Sequence, residues 1–77
     1  MTTLAQANRA ISKANIPLEL VRGEGYHYFV YDNEERGVYE TVSYMVPYTS
    51  HVPVSKWVQW AEEAYDDIIT SLNAIVL

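Results

Sequence analysis

The chain contains no cysteine, which excludes disulfide staples, thiolate metal sites and thiol nucleophiles, and fits an intracellular protein. Cations are scarce as well. Five Lys and Arg stand against ten Asp and Glu, for a net charge of −5. Wrapping nucleic acid requires clustered Lys and Arg, so direct nucleic-acid binding is not expected. No apolar run approaches the roughly 20 residues of a membrane span. Met1-Thr2-Thr3-Leu4-Ala5-Gln6 lacks the basic start and long apolar run of a signal peptide. These absences point to the cytoplasm, with no membrane partner.

What is present is a globular composition, 49% hydrophobic over 77 residues. That length supports one domain, residues 1-77, near the size where a single core is only just enough. Leu18 to Arg22, Tyr26 to Tyr31 and Val38 to Val46 are rich in Val and Tyr. Gly23-Glu24-Gly25 and the acidic Asp32-Asn33-Glu34-Glu35-Arg36-Gly37 break them apart. The pattern predicts a three-stranded antiparallel meander. A lone meander is unstable in water, so helices must cover one face.

Thr3-Leu4-Ala5-Gln6 fits a capping box, and Leu4, Ala7, Ile11 and Ala14 follow at helical spacing. Asn15 suits the C-terminal cap and Pro17 forbids continuation, giving a helix over 3–15. After strand three, Pro47 and Pro53 bracket an irregular crossing, and Pro53 or Ser55 opens the last helix. Trp57, Ala61, Ala64, Ile68, Leu72 and Ile75 carry its apolar stripe, with Trp57 as anchor. The expected fold class is α+β in the order α-β-β-β-α, with both helices on one face.

Strand residues alternate sides. Leu18 and Leu20 are expected inside, as are Val42, Tyr44 and Val46. Strand two offers Tyr26, Tyr28 and Val30 against His27, Phe29 and Tyr31, and Tyr28 and Val30 are placed inside. The second face then carries Val21, Phe29, Tyr31, Tyr39 and Met45. A patch of this kind marks an interaction surface or a dimer interface, although scattered surface aromatics are also ordinary.

Little in the sequence points to catalysis. Gly23-Glu24-Gly25 joins strand to strand, whereas a phosphate loop needs a helix N-terminus behind it. His27 and His51 have no carboxylate at ligand spacing and read as surface or half-buried imidazoles. Ser43, Ser50 and Ser55 lack a nucleophile elbow. The chain is therefore expected to be no enzyme and to hold no metal or cofactor.

Charge is more informative. Glu62, Glu63, Asp66 and Asp67 sit on the last helix with only Lys56 opposing, while Arg9 and Lys13 sit on the first. Glu62 with Asp66, and Glu63 with Asp67, are like charges one turn apart, each pair costing about 0.2–0.5 kcal/mol of helix stability. A solvated polar face neutralised by neighbouring cations would explain them. So would a negative stripe kept for a partner. Glu34 and Glu35 add a second acidic site. Acids flanked by tyrosines suit docking onto Lys/Arg-rich protein surfaces, including those that hold nucleic-acid backbones.

The run Leu20-Val21-Arg22-Gly23-Glu24-Gly25-Tyr26-His27-Tyr28-Phe29, with Trp57 on a following acidic helix, resembles small phage and mobile-element proteins of the anti-CRISPR type. The resemblance covers size, charge and layout, and carries no shared motif. It implies a stoichiometric inhibitor that occupies a basic surface of a CRISPR effector complex, in the host cytoplasm if phage-encoded. The expected contact residues are Glu62, Glu63, Asp66, Asp67, Glu34, Glu35, Tyr31, Tyr39 and Phe29. Two alternatives stand beside it: a homodimeric structural or regulatory module, and a small-molecule site lined by Tyr28, Tyr44 and Trp57.

Overall fold

Thr3 opens the first helix. Its hydroxyl accepts from the Gln6 amide at 3.1 Å, and the Gln6 side chain accepts from the Thr3 amide at 3.0 Å. This is the reciprocal capping box that the sequence predicts. The computed structural model describes residues 1–76, with side chains through Asn73. Helix α1 runs Leu4–Lys13 and α2 runs Val54–Val76, enclosing strands β1 (Glu19–Arg22), β2 (His27–Asn33) and β3 (Val38–Tyr44). The strands form one antiparallel sheet in the order β1-β2-β3. The fold is α+β, α-β-β-β-α, as the sequence predicts. Among the described residues no helix is long and apolar enough to cross a membrane.

Helix α1 ends in a Schellman motif. Asn15 takes φ 60°, its amide donates to Ser12 and the Ile16 amide donates to Ile11. Ile11 and Ile16 are both buried, which supplies the apolar clasp that accompanies this ending. Asn tolerates left-handed backbone better than other non-glycine residues. The cap expected at Asn15 thus lies one residue beyond the last helical turn, and Ala14 is exposed rather than on the buried stripe.

Helix α2 begins at Val54, and the Lys56 and Trp57 amides donate to the Pro53 carbonyl. Its buried stripe is Trp57, Ala61, Ala64 and Ile68, with Leu72 partly covered. The side chain of Ile75 lies outside the described residues. Trp57 is fully buried and anchors the core.

Strand β2 reverses the expected parity. His27, Phe29 and Tyr31 are buried, and Tyr28 and Val30 lie on the other face. The register explains the outcome: Leu20 pairs Phe29 and Phe29 pairs Val42, so these share one face. Phe29 meets Tyr44 and Trp57 edge-on, at 5.4 and 6.2 Å between ring centroids. Phe29 and Tyr31 are therefore removed from the exposed patch and from the expected contact residues. Val21, Tyr39 and Met45 stay on the outer face, joined by Tyr28 and Val30.

The connection between β3 and α2 is not merely irregular. It contains a short 3-10 turn, Thr49–His51, and buries Thr49 and Val52.

Candidate interaction surface

The four acids of α2 are all exposed. At about 100° per residue, their mean direction lies about 160° from that of the Trp57, Ala61, Ala64 and Ile68 stripe. They form a ridge on the helix face turned away from the core. Arg9 and Lys13 line a surface hollow together with Met1, Gln6, Ala10 and Val54, at the opening of α2. Val54, which shares that hollow, is about 12 Å from Glu62 along the helix axis.

The spacing of the ridge is dense. Six residues from Glu62 to Asp67 span about 9 Å, roughly one carboxylate per 2.3 Å. Duplex DNA carries one charge per about 1.7 Å of axis. The ridge thus presents negative charge at a linear density close to that of a nucleic-acid duplex.

One flank of the ridge meets the sheet. Tyr44 stacks on Trp60 at 4.9 Å, and its hydroxyl donates to the Trp60 carbonyl at 3.4 Å. Lys56 lies 5.6 Å over the other ring of that stack, Trp60. Burial raises the Tyr44 phenol above its ordinary value, and Glu63 and then Asp67 raise it further. Glu63 and Asp67 therefore act on the β3 side of α2. Farther along, Glu40, Val42, Asp67, Ile68 and Leu72 line a groove of about 220 Å³ between β3 and α2. Alternation puts Glu40 on the face of Val42 and Tyr44, but it was missed from sequence because only the packing of α2 on β3 brings it to Asp67.

Glu34 and Glu35 are exposed in the β2–β3 turn. Tyr44 lies beside Trp60, and Glu40 to Val42 lie beside Asp67 to Leu72. The β2–β3 turn is thus at the end of the sheet toward which the C-terminal turns of α2 run. Tyr39 is 62% exposed, on the outer face rather than beside the ridge.

His27 is fully buried, which corrects its expected surface or half-buried position. Its Nδ1 donates to the Val46 carbonyl at 2.7 Å, and Nε2 lies 2.6 Å from Thr49 Oγ1. With Nδ1 donating, Nε2 of the neutral ring accepts from the Thr49 hydroxyl. The Thr49 carbonyl in turn accepts from Trp57 Nε1 at 3.1 Å. Every polar side-chain atom of this knot has a structural partner, so it ties the crossing segment to sheet and helix. Among the described residues no three His, Asp or Glu side chains stand together as a metal set. Tyr28 faces away from Tyr44 and Trp57, so these three do not line one ligand site.

The two edges of the sheet differ. On β1, the Leu20 amide donates to Asn8 Oδ1 at 2.7 Å, and Asn8 Nδ2 donates to the Leu20 carbonyl at 2.9 Å. Helix α1 thus closes that edge with one amide side chain. β3 is the other edge, and among the described residues no strand lies beyond it in the sheet.

No protein-family model, curated protein or solved structure matches this chain.

Proposed function

We propose that this protein is a small non-enzymatic binder whose acidic α2 ridge docks onto a Lys/Arg-rich surface of a macromolecular complex and blocks it by occupation. The surface fitted by this ridge is one built to hold a nucleic-acid backbone. Inhibition of a CRISPR effector, in the manner of the anti-CRISPR proteins that the chain resembles, is the specific form. The supporting observation is the ridge itself: four exposed carboxylates at near-duplex charge density. Such like-charge pairs cost helix stability, a cost that a docking role offsets.

The test is a pull-down with the full chain as bait from cells carrying CRISPR systems, followed by affinity measurements across salt concentrations. Binding should weaken steeply as salt rises. Replacing the four acids by Gln and Asn should weaken binding at least about tenfold while raising stability by about 0.4–1 kcal/mol, the sum for two relieved pairs. Unchanged affinity in that variant would refute electrostatic docking.

A second reading draws on the uncovered sheet face, where Val21, Tyr28, Val30, Tyr39 and Met45 lie together. This face suits a homodimer serving a structural or regulatory role. Light scattering across protein concentrations distinguishes the two, since a strict monomer at high concentration removes the dimer.

A further inference from the structure

Backbone parity shows what the β3 edge offers. Leu20 turns its amide and carbonyl outward to Asn8, so its partner Phe29 turns its own toward β3. Phe29 and Val42 therefore form a hydrogen-bonded pair. By alternation, Glu40, Val42 and Tyr44 bond inward, while Tyr39, Thr41 and Ser43 direct their amides and carbonyls away from the sheet. An edge of this kind is a template for another strand.

We propose that β3 takes up a fourth strand: an extended segment of the partner protein bearing Lys or Arg at alternate positions, laid along Tyr39 to Ser43. This rests on the acidic docking proposed above and specifies its contact. Alternate side chains of an added strand face the helix layer, where they meet the groove containing Glu40 and Asp67. Glu63 and Asp67 act on Tyr44 at one end of the same edge. Intervening side chains meet the outer face beside Tyr39, Thr41 and Ser43, where β-branched residues pack well. A second copy of this chain is the poorer occupant. Antiparallel β3 edges would bring Glu40, Glu63 and Asp67 of both copies onto one side of the joined sheet, where like charges repel.

The probe is a capped peptide of three Lys-Val repeats, titrated into the isotope-labelled full chain and followed by backbone amide NMR and hydrogen exchange. The amides of Tyr39, Thr41 and Ser43 should shift and exchange more slowly with peptide bound. N-methylating alternate peptide amides removes donors to the edge and should weaken binding by about tenfold, the effect of losing two or three hydrogen bonds. A Glu-Val peptide should not bind. Thr41→Pro removes one outward donor at a position where an edge strand tolerates proline, and should weaken binding by about fivefold, the effect of losing one hydrogen bond. The N-methylated peptide reads the same contact without any variant having to fold.

Shifts confined to residues 59–70 would overturn strand addition while leaving ridge docking intact. Indifference to N-methylation would do the same. Failure of the Lys-Val peptide to bind, beside a salt-sensitive pull-down that succeeds, would overturn only the strand. Protected edge amides and doubled mass without peptide would overturn it in favour of a second copy.

Discussion

Thr49→Val tests whether the buried knot around His27 holds the fold together. The substitution is nearly isosteric: it exchanges one hydroxyl for a methyl group and keeps β-branching. The Thr49 backbone carbonyl still accepts from Trp57 Nε1, so that bond stays. What disappears is the partner of His27 Nε2, 2.6 Å away, inside a site with no solvent access to the imidazole. Leaving a buried acceptor unsatisfied costs about 1–3 kcal/mol. For a domain of 60–100 residues each kcal/mol lowers Tm by about 4–8 °C, so Tm should fall by roughly 4–24 °C. Thermal unfolding followed by circular dichroism measures the shift. Thr49→Ser keeps the hydroxyl and loses one methyl group, worth about 0.8 kcal/mol of burial, so it should unfold above Thr49→Val. If Thr49→Val melts with the parent protein, or below it by no more than Thr49→Ser, the hydrogen bond contributes nothing and the reasoning fails.

Phe29→Ala should cost about 3–5 kcal/mol and unfold most of the protein, whereas Tyr28→Ala should be milder by several-fold. Chemical denaturation of both checks the parity of β2, and equal costs would contradict it. Asn8→Ala orphans the amide and carbonyl of Leu20 and should cost about 1–3 kcal/mol for two bonds. It also opens the β1 edge, so light scattering should detect association beyond that of the parent protein. Folding stability should be insensitive to Tyr44 below its ordinary pKa of 10.0 and should fall as pH rises above it. There the unfolded chain releases the proton first, while the raised folded value retains it. Glu63→Gln with Asp67→Asn should lower that folded value, as read from tyrosinate absorbance.

Most of the local structure was legible because it depends on neighbours in the chain. The capping box at Thr3 and Gln6, the stop at Asn15, and the glycines at φ 79° and 64° in the two hairpin turns follow from backbone sterics. So do the facing of β1 and β3, where only one parity is apolar. Strand β2 has aromatic and aliphatic residues at both parities, and there alternation was silent. A usable signal was nonetheless present. Gly23 donates to the Tyr26 carbonyl across the first hairpin, and a Cβ at Gly23 would lie 2.6 Å from the Tyr26 ring. A glycine facing an aromatic across a hairpin marks that aromatic as folded over it. Tyr26, and by alternation Tyr28 and Val30, then belong outside.

The acids of α2 were visible as charges in the sequence, but not the groove that Asp67 shares with Glu40. That depends on where α2 crosses the sheet. By itself the sequence determined the order of elements, their caps, the helix stripe under Trp57 and the excess of negative charge. Each of these is set by spacing along the chain or by composition. Tertiary structure decided what the buried face of β2 bonds to, because the partners of His27 lie 19 and 22 residues away at Val46 and Thr49. It also decided which sheet edge is closed, because Asn8 reaches Leu20 only once α1 has docked. Contacts between distant segments exist only after the chain has packed, so no local pattern records them.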